Sequence, residues 1–158
     1  MAIFKIEPHE QYTLKGMLDY ISDATIHDSQ ILFTDALYAI NTNPLYDMMI
    51  IKLLNCKTAG VQYKQITLSL NEEESERQTD FICLCQEAAW LLCNYTHCQI
   101  AYVVHGNTDN LHTHFILNSV SYLDGHKLHL GCQDTVYLKN TINELLQRYN
   151  FSLIVSKE

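Results

Sequence analysis

Three histidines crowd one short stretch, VVHGNTDNLHTHFILNSV (103–120): His105, His112 and His114. Neutral imidazole is a good ligand for divalent transition ions. A set of three leaves coordination positions for water or substrate, which is the arrangement of a catalytic centre rather than a closed structural one. The rings must meet for that chemistry to operate. The segment reads as two apolar strands, 99–105 and 111–120, joined by the turn-forming GNTDN. Strand period puts His112, His114, Ile116 and Asn118 on one face, and Leu111, Thr113, Phe115 and Leu117 on the other. The second set is nearly all apolar and reads as core; the first reads as an open face. A tight antiparallel return then sets His105 beside the start of the second strand. An isolated His-x-His in a strand is as often a pair of surface histidines; the third histidine, at the hairpin partner position, is what points to a metal. His126 and His129 read as surface residues.

The elements that must position these rings are legible in outline. AIFKI (2–6) reads as a short strand, and Thr13 caps a helix running to about Ser22 with Leu14, Met17, Leu18 and Ile21 on one face. Residues 23–41 read mostly as loop, with a short strand at 31–34. PLYDMMIIKLLN (44–55) opens with proline in a first helical turn. GVQYKQITLSL (60–70) alternates like a strand, with Val61, Tyr63, Gln65, Thr67 and Ser69 on one side. A long helix is expected from Ser75 to about Asn94, its acidic first turn suited to the dipole. HKLHL (126–130) reads as a short strand, 135–150 as helix and FSLIV (151–155) as a last strand. Helices interleaved with hairpin-linked strands predict an α+β domain: a central antiparallel sheet with helices packed mainly on one face.

Composition bounds the function. A chain of 158 residues with 47% hydrophobic content suits a single domain spanning 1–158. No apolar run approaches the ~20 residues of a membrane span. The first residues lack the layout of a signal peptide, which predicts a cytoplasmic product. The six cysteines show no paired CxxC knuckles and are expected to be reduced, mostly buried thiols. The net charge of −8 argues against a nonspecific nucleic-acid binder, whose affinity rests on Lys and Arg displacing counterions.

The pattern His105-x6-His112-x-His114-x3-Asn118, followed by SVSYLDGHKL, resembles the third motif of conjugative relaxases, the mobilisation nucleases of the HUH superfamily. GMLDYIS resembles the family's first motif, QYKQITLSLNEEE the strand before its long helix, and YLKNTINELLQRYNFSLIV the helix and strand after the third motif. The resemblance implies an antiparallel sheet flanked by helices, Tyr20 as nucleophile, and His105, His112 and His114 as ligands of Mn²⁺ or Mg²⁺. It implies strand-specific nicking and rejoining of single-stranded DNA at a transfer origin through a 5′-phosphotyrosine. Accessory mobilisation proteins and a coupling protein are the implied partners in plasmid or integrative-element mobilisation. Asn107, Asp109, Asn110 and Asn118 are the residues expected around the ligands.

The chain also departs from the family pattern. Asn107 and Asn110 stand where relatives often carry Asp and His, no Lys-Thr pair follows Tyr20, and Gln65 aligns where a His is common. An uncharged Asn107 cannot lend a ligand histidine the negative charge of a carboxylate. Two readings therefore stand side by side: an active relaxase domain, or a relative that keeps the fold and metal site but serves as a binding module without nicking. A replication initiator or transposase of the same superfamily is a third, although those usually place the tyrosine after the histidine motif. Lys5, Lys15, Lys57, Lys64 and Lys127 are the candidates for DNA contact.

Overall fold

The structure is a computed structural model that describes residues 1–7, 12–23, 30–106 and 110–155. Five strands form one antiparallel sheet: β1 (Ile3–Glu7), β2 (Gln30–Leu37), β3 (Tyr63–Ser69), β4 (Ile100–Gly106) and β5 (Leu111–Asn118). Their spatial order is β1-β3-β5-β4-β2, so β5 and β4 lie inside the sheet. Helices α1 (Leu14–Ser22), α2 (Pro44–Leu54), α3 (Gln78–Thr96) and α4 (Cys132–Arg148) complete the α+β architecture.

Both faces of the sheet carry helices, which corrects the expectation of one covered face. Helices α3 and α4 pack on Ile66, Leu68, Tyr102, Val104, Phe115 and Leu117 and form the larger core. Helices α1 and α2 cover a smaller cluster, in which Leu14, Met17, Leu18, Ile21 and Met48 meet Tyr63, Ala101, Val103 and Ile116. Ile116 and Asn118 are therefore fully buried instead of open. The covered area stops short of His112 and His114, which are only half-buried.

Most elements form where the sequence places them. Thr13 caps α1 by accepting from Gly16 N–H, and Asn43 caps α2 by accepting from Leu45 N–H. Four differences are structural. Strand β2 runs to eight residues rather than four, and a bulge between Ile31 and Phe33 breaks its alternation. Helix α3 begins at Gln78, because Glu72–Glu74 form a 3₁₀ turn ahead of it; of the acids, Asp80 alone lies in its first turn. Residues 126–130 and 151–155 contribute only isolated bridges, Val120 with Lys127 and Ala2 with Ile154. All six cysteines are free; Cys85, Cys93 and Cys98 are buried, while Cys56, Cys83 and Cys132 are exposed. Cys83 and Cys85, two apart on α3, point to different environments as their spacing demands.

Helix α2 packs in an unexpected orientation. It turns Asp47, Met48 and Lys52 inward and leaves Tyr46, Ile50, Leu53 and Leu54 exposed. Lys52 donates to the Gln62 carbonyl at 2.6 Å, to Ser119 Oγ at 3.0 Å and to Asn118 Oδ1. Asn118 in turn donates to the Met48 carbonyl and Gln99 Oε1, at 3.1 and 2.9 Å. This satisfied node ties α2 to the starts of β3 and β4 and the end of β5, and each partner removed alone would strand the others.

Burial lowers the Lys52 ammonium from its ordinary 10.5 to about 8, with nearby Lys127 adding to the effect. Between those two values the unfolded chain holds a proton that the folded chain has lost, so the contribution of Lys52 to stability rises with pH. Burial holds the thiols of Cys85, Cys93 and Cys98 protonated to higher pH than unfolded thiols, which acts in the opposite direction. The measurement must therefore be a difference. Urea unfolding of wild type and of Lys52→Met, followed from pH 8 to 10.5, is expected to move steadily in favour of wild type. A difference that stays constant with pH would mean that the ammonium is not desolvated in the folded protein.

Candidate functional site

Lateral rows across the sheet describe the site. On the face shared with α1 and α2, one row reads Ile3, Ser69, His112, His105 and Ile31 from β1 to β2. The next row reads Lys5, Thr67, His114, Val103 and Thr34, and the third Glu7, Gln65, Ile116, Ala101 and Ala36. His105 and His112 are direct cross-strand partners, and His114 lies one row further along β5. The ring centroids are 5.1 Å apart for His105–His112, 5.8 Å for His105–His114 and 5.3 Å for His112–His114. The hairpin therefore gathers the three imidazoles predicted to meet.

Each ring is held by its neighbours. His105 is buried and lies 3.1 Å from the Ile21 carbonyl at the end of α1. A carbonyl only accepts, so His105 donates through Nε2–H and Nδ1 is its acceptor nitrogen. His112 likewise approaches the Asn110 carbonyl through Nδ1, at 3.3 Å. His114 Nδ1 lies 3.0 Å from Gln65 Nε2 and 3.2 Å from Thr67 Oγ1. Gln65 is 5% exposed, and its Oε1 finds no donor among the described residues. An amide is nearly symmetrical in shape, so its two ends can exchange places. With Oε1 turned to His114, Nδ1–H donates to it and Nε2 becomes the acceptor nitrogen.

Among the described residues, no group of three or more His, Cys, Asp or Glu side chains is set to hold a metal ion as it stands. The donor chemistry nevertheless fits one. Two rings already give their outer N–H to carbonyls, the usual support of a ligating histidine, and the orphaned Gln65 oxygen offers the third.

Tyr20 lies in the last turn of α1, one residue before the carbonyl that receives His105. Its ring is half-buried and stacks on Tyr12, with centroids 5.4 Å apart and planes at 24°. Desolvation, then the neighbouring Tyr12 and Glu7, raise its pKa above the ordinary 10. Glu7, one of the groups acting on Tyr20, sits in the row of Gln65 on the sheet.

The other expected residues divide. Asn110 reaches the site through its backbone carbonyl. Asn107 and Asp109 lie outside the described residues. Asn118 is corrected: four residues beyond His114 on β5, roughly 13 Å along the strand, it belongs to the buried Lys52 node. Lys5 is exposed on the row of His114, with Thr67 between them, whereas Lys52 and Lys127 spend their ammonium groups on internal carbonyls. Thr67 was not singled out by sequence reasoning. Its only signal was its place on the same side of a strand as Gln65.

Comparison with known proteins gives this geometry a family. The model of the nuclease domain of relaxases, MobA/VirD2-like, matches residues 20–151. No curated protein matches the sequence. A chain solved in work on the molecular basis of vancomycin resistance transfer in Staphylococcus aureus shares the fold, with a TM-score of 0.53 and 17% identity. The match covers 82% of this chain and 76% of that one. No helix among the described residues is long and apolar enough to cross a membrane. The family match spans the three imidazoles, Tyr20 and four of the five strands, and the chain belongs to the MobA/VirD2-like relaxases as a nuclease domain.

Proposed function

We propose that the protein nicks and rejoins single-stranded DNA at a transfer origin, with Tyr20 as nucleophile and the imidazole cluster as its metal centre. The convergence of three imidazoles beside the last turn of α1, which carries Tyr20, is the observation that supports this most. His105, His112 and His114 would hold Mn²⁺ or Mg²⁺, with Mn²⁺ better suited to nitrogen donors. Such an ion would supply positive charge that offsets developing negative charge on the scissile phosphate and favours ionisation of a nearby phenol.

The chain's own groups do the rest. The Tyr20 phenol loses its proton and its oxygen attacks phosphorus in line. The P–O3′ bond breaks, the departing 3′-oxygen takes up a proton, and a 5′-phosphotyrosine remains. An ester replaces an ester, so the reverse attack by a 3′-hydroxyl rejoins a strand without ATP. Lys5, exposed on the row of His114, is placed to contact a neighbouring phosphate. Burial, then Tyr12 and Glu7, raise the pKa of Tyr20 above the ordinary 10, so a cation held by the cluster would favour the phenolate that attack requires. The same cluster could serve a binding module without nicking, a reading favoured by the uncharged Asn107 and Asn110 and by the net charge of −8.

Incubation with Mn²⁺ and randomised single-stranded oligonucleotides, followed by intact-protein mass spectrometry, separates the two. A nucleotide adduct is expected on wild type and on neither Tyr20→Phe nor His112→Ala. Metal binding with no adduct at any sequence would leave the binding module as the better account.

Gln65 provides a second check through the His114 tautomer. Titration calorimetry with Mn²⁺ is expected to show a loss of about 10–100-fold in affinity for Gln65→Leu, the usual effect of removing an outer partner of a ligating histidine. Gln65→Glu, which keeps an acceptor and adds charge, is expected to bind at least as tightly as wild type. Equal affinity in all three proteins would mean that Gln65 is not the outer partner of a ligating His114.

A further inference from the structure

A cavity of about 320 Å³ lies beside the imidazole cluster and has no part in the chemistry above. It opens between the end of α1, the sheet and the start of α2. Ile21, Ala36 and Val103 form its apolar side, and Ser22, Thr34 and Thr42 bring hydroxyl groups to it. Its origin is visible in the rows. Ala36 faces Ala101 directly across β2 and β4, so two methyl groups stand where larger side chains would fill the space under α1. Ile21 belongs to both places: its side chain lines the cavity and its carbonyl receives His105. Val103, two residues before His105 on the same strand face, carries the cavity wall up to the cluster.

The lining indicates the class of ligand. Among the described residues no Lys or Arg borders the cavity, and Asp35 does, so a phosphate is disfavoured. A flat, uncharged heterocycle suits apolar walls with a few hydroxyls that both donate and accept. The charge balance supports the same choice. With 10 bases against 18 acids, phosphate contacts alone give the chain little hold on a strand, and specificity requires contact with bases. Single strands are read by turning unstacked bases into such pockets.

We infer that this cavity takes one nucleobase of the bound strand, next to the phosphate at the imidazole cluster, and sets the sequence preference at that single position. The inference rests on the DNA-nicking reading and adds to it a specificity pocket built by Ala36, Ala101 and Thr34. Ala36→Leu closes it from the sheet side, at a half-buried position that tolerates a larger side chain, and Thr34→Val removes an exposed hydroxyl at constant shape.

The test is selection from a randomised single-stranded DNA pool on wild type and on both full-length variants. Wild type is expected to enrich a defined sequence. Ala36→Leu should lose the preference at one position while keeping the others, and Thr34→Val should weaken it at that same position. An abasic nucleotide placed there should weaken binding to wild type about tenfold or more, and leave binding to Ala36→Leu unchanged. Identical preferences in all three proteins would overturn the pocket while leaving the nuclease reading intact, and so would a loss spread evenly over every position. Enrichment of no sequence by wild type would overturn both.

Discussion

The register of the β4–β5 hairpin determines where every group of the site stands. His105 faces His112 across the ladder because Tyr102 faces Phe115 and Ile100 faces Leu117, three and five residues further down β4. A slip of one residue would turn every β5 side chain to the opposite face. Leu111, Phe115 and Leu117 are at most 1% exposed in the α3–α4 core, and each is worth roughly 1.5–3 kcal/mol of burial. Losing all three would consume much of the 5–15 kcal/mol that keeps a typical domain folded. Thr113 reinforces the alignment by donating from Oγ1 to the Val103 carbonyl at 3.0 Å. The apolar face thus fixes the position of the polar one: the imidazoles meet because their neighbours in sequence cannot be moved.

The second face of the sheet divides its work along the strands. At one end, α1 and α2 bury Tyr63, Ala101 and Ile116 and close over the Lys52 node. At the other, Lys5, Thr67, Ser69, His112 and His114 remain at least partly open. The border falls at Ile21, whose side chain belongs to the smaller core and whose carbonyl holds His105. An extended ligand can therefore lie along the open half without disturbing the packing that sets it. An active centre placed at the edge of a covered patch gains rigid support from one side and access from the other.

What the sequence discloses and what it hides follow from the same physics. Period-2 alternation is a strong signal where one face is dry, so residues 111–118 and the convergence of the three histidines are legible in the order of residues alone. Thr13 is equally clear, because a side-chain oxygen before an apolar helix has one cheap use. The hidden parts are those where tertiary context overrides local pattern. Strand β2 is bulged and lies at the sheet edge, so its eight residues show no clean alternation. Helix α2 is apolar nearly all round, and nothing local says that it buries Lys52 and exposes Ile50 and Leu53. Asn118 shares a strand face with the histidines, yet period alone cannot say how far along that face a helix reaches. Gln65 as the partner of His114 depends on β3 lying beside β5, a long-range pairing that no spacing encodes.

The end of α1 contributes a further constraint. The Ile21 carbonyl meets His105, and a helix C-terminus carries roughly half a negative charge. That polarity favours protons and cations nearby and opposes a phenolate in the same turn. Burial, Tyr12 and Glu7 act on Tyr20 in the same direction. Two of the described contacts to the cluster come from backbone carbonyls, that of Ile21 to His105 and that of Asn110 to His112. Under the proposed reaction, a tyrosine in the position of Tyr20 would be a poor nucleophile while the cluster holds no positive charge, and a cation gathered by the imidazoles would reverse the balance. Placing a nucleophile at a helix C-terminus would then cost reactivity at rest and couple it to the metal.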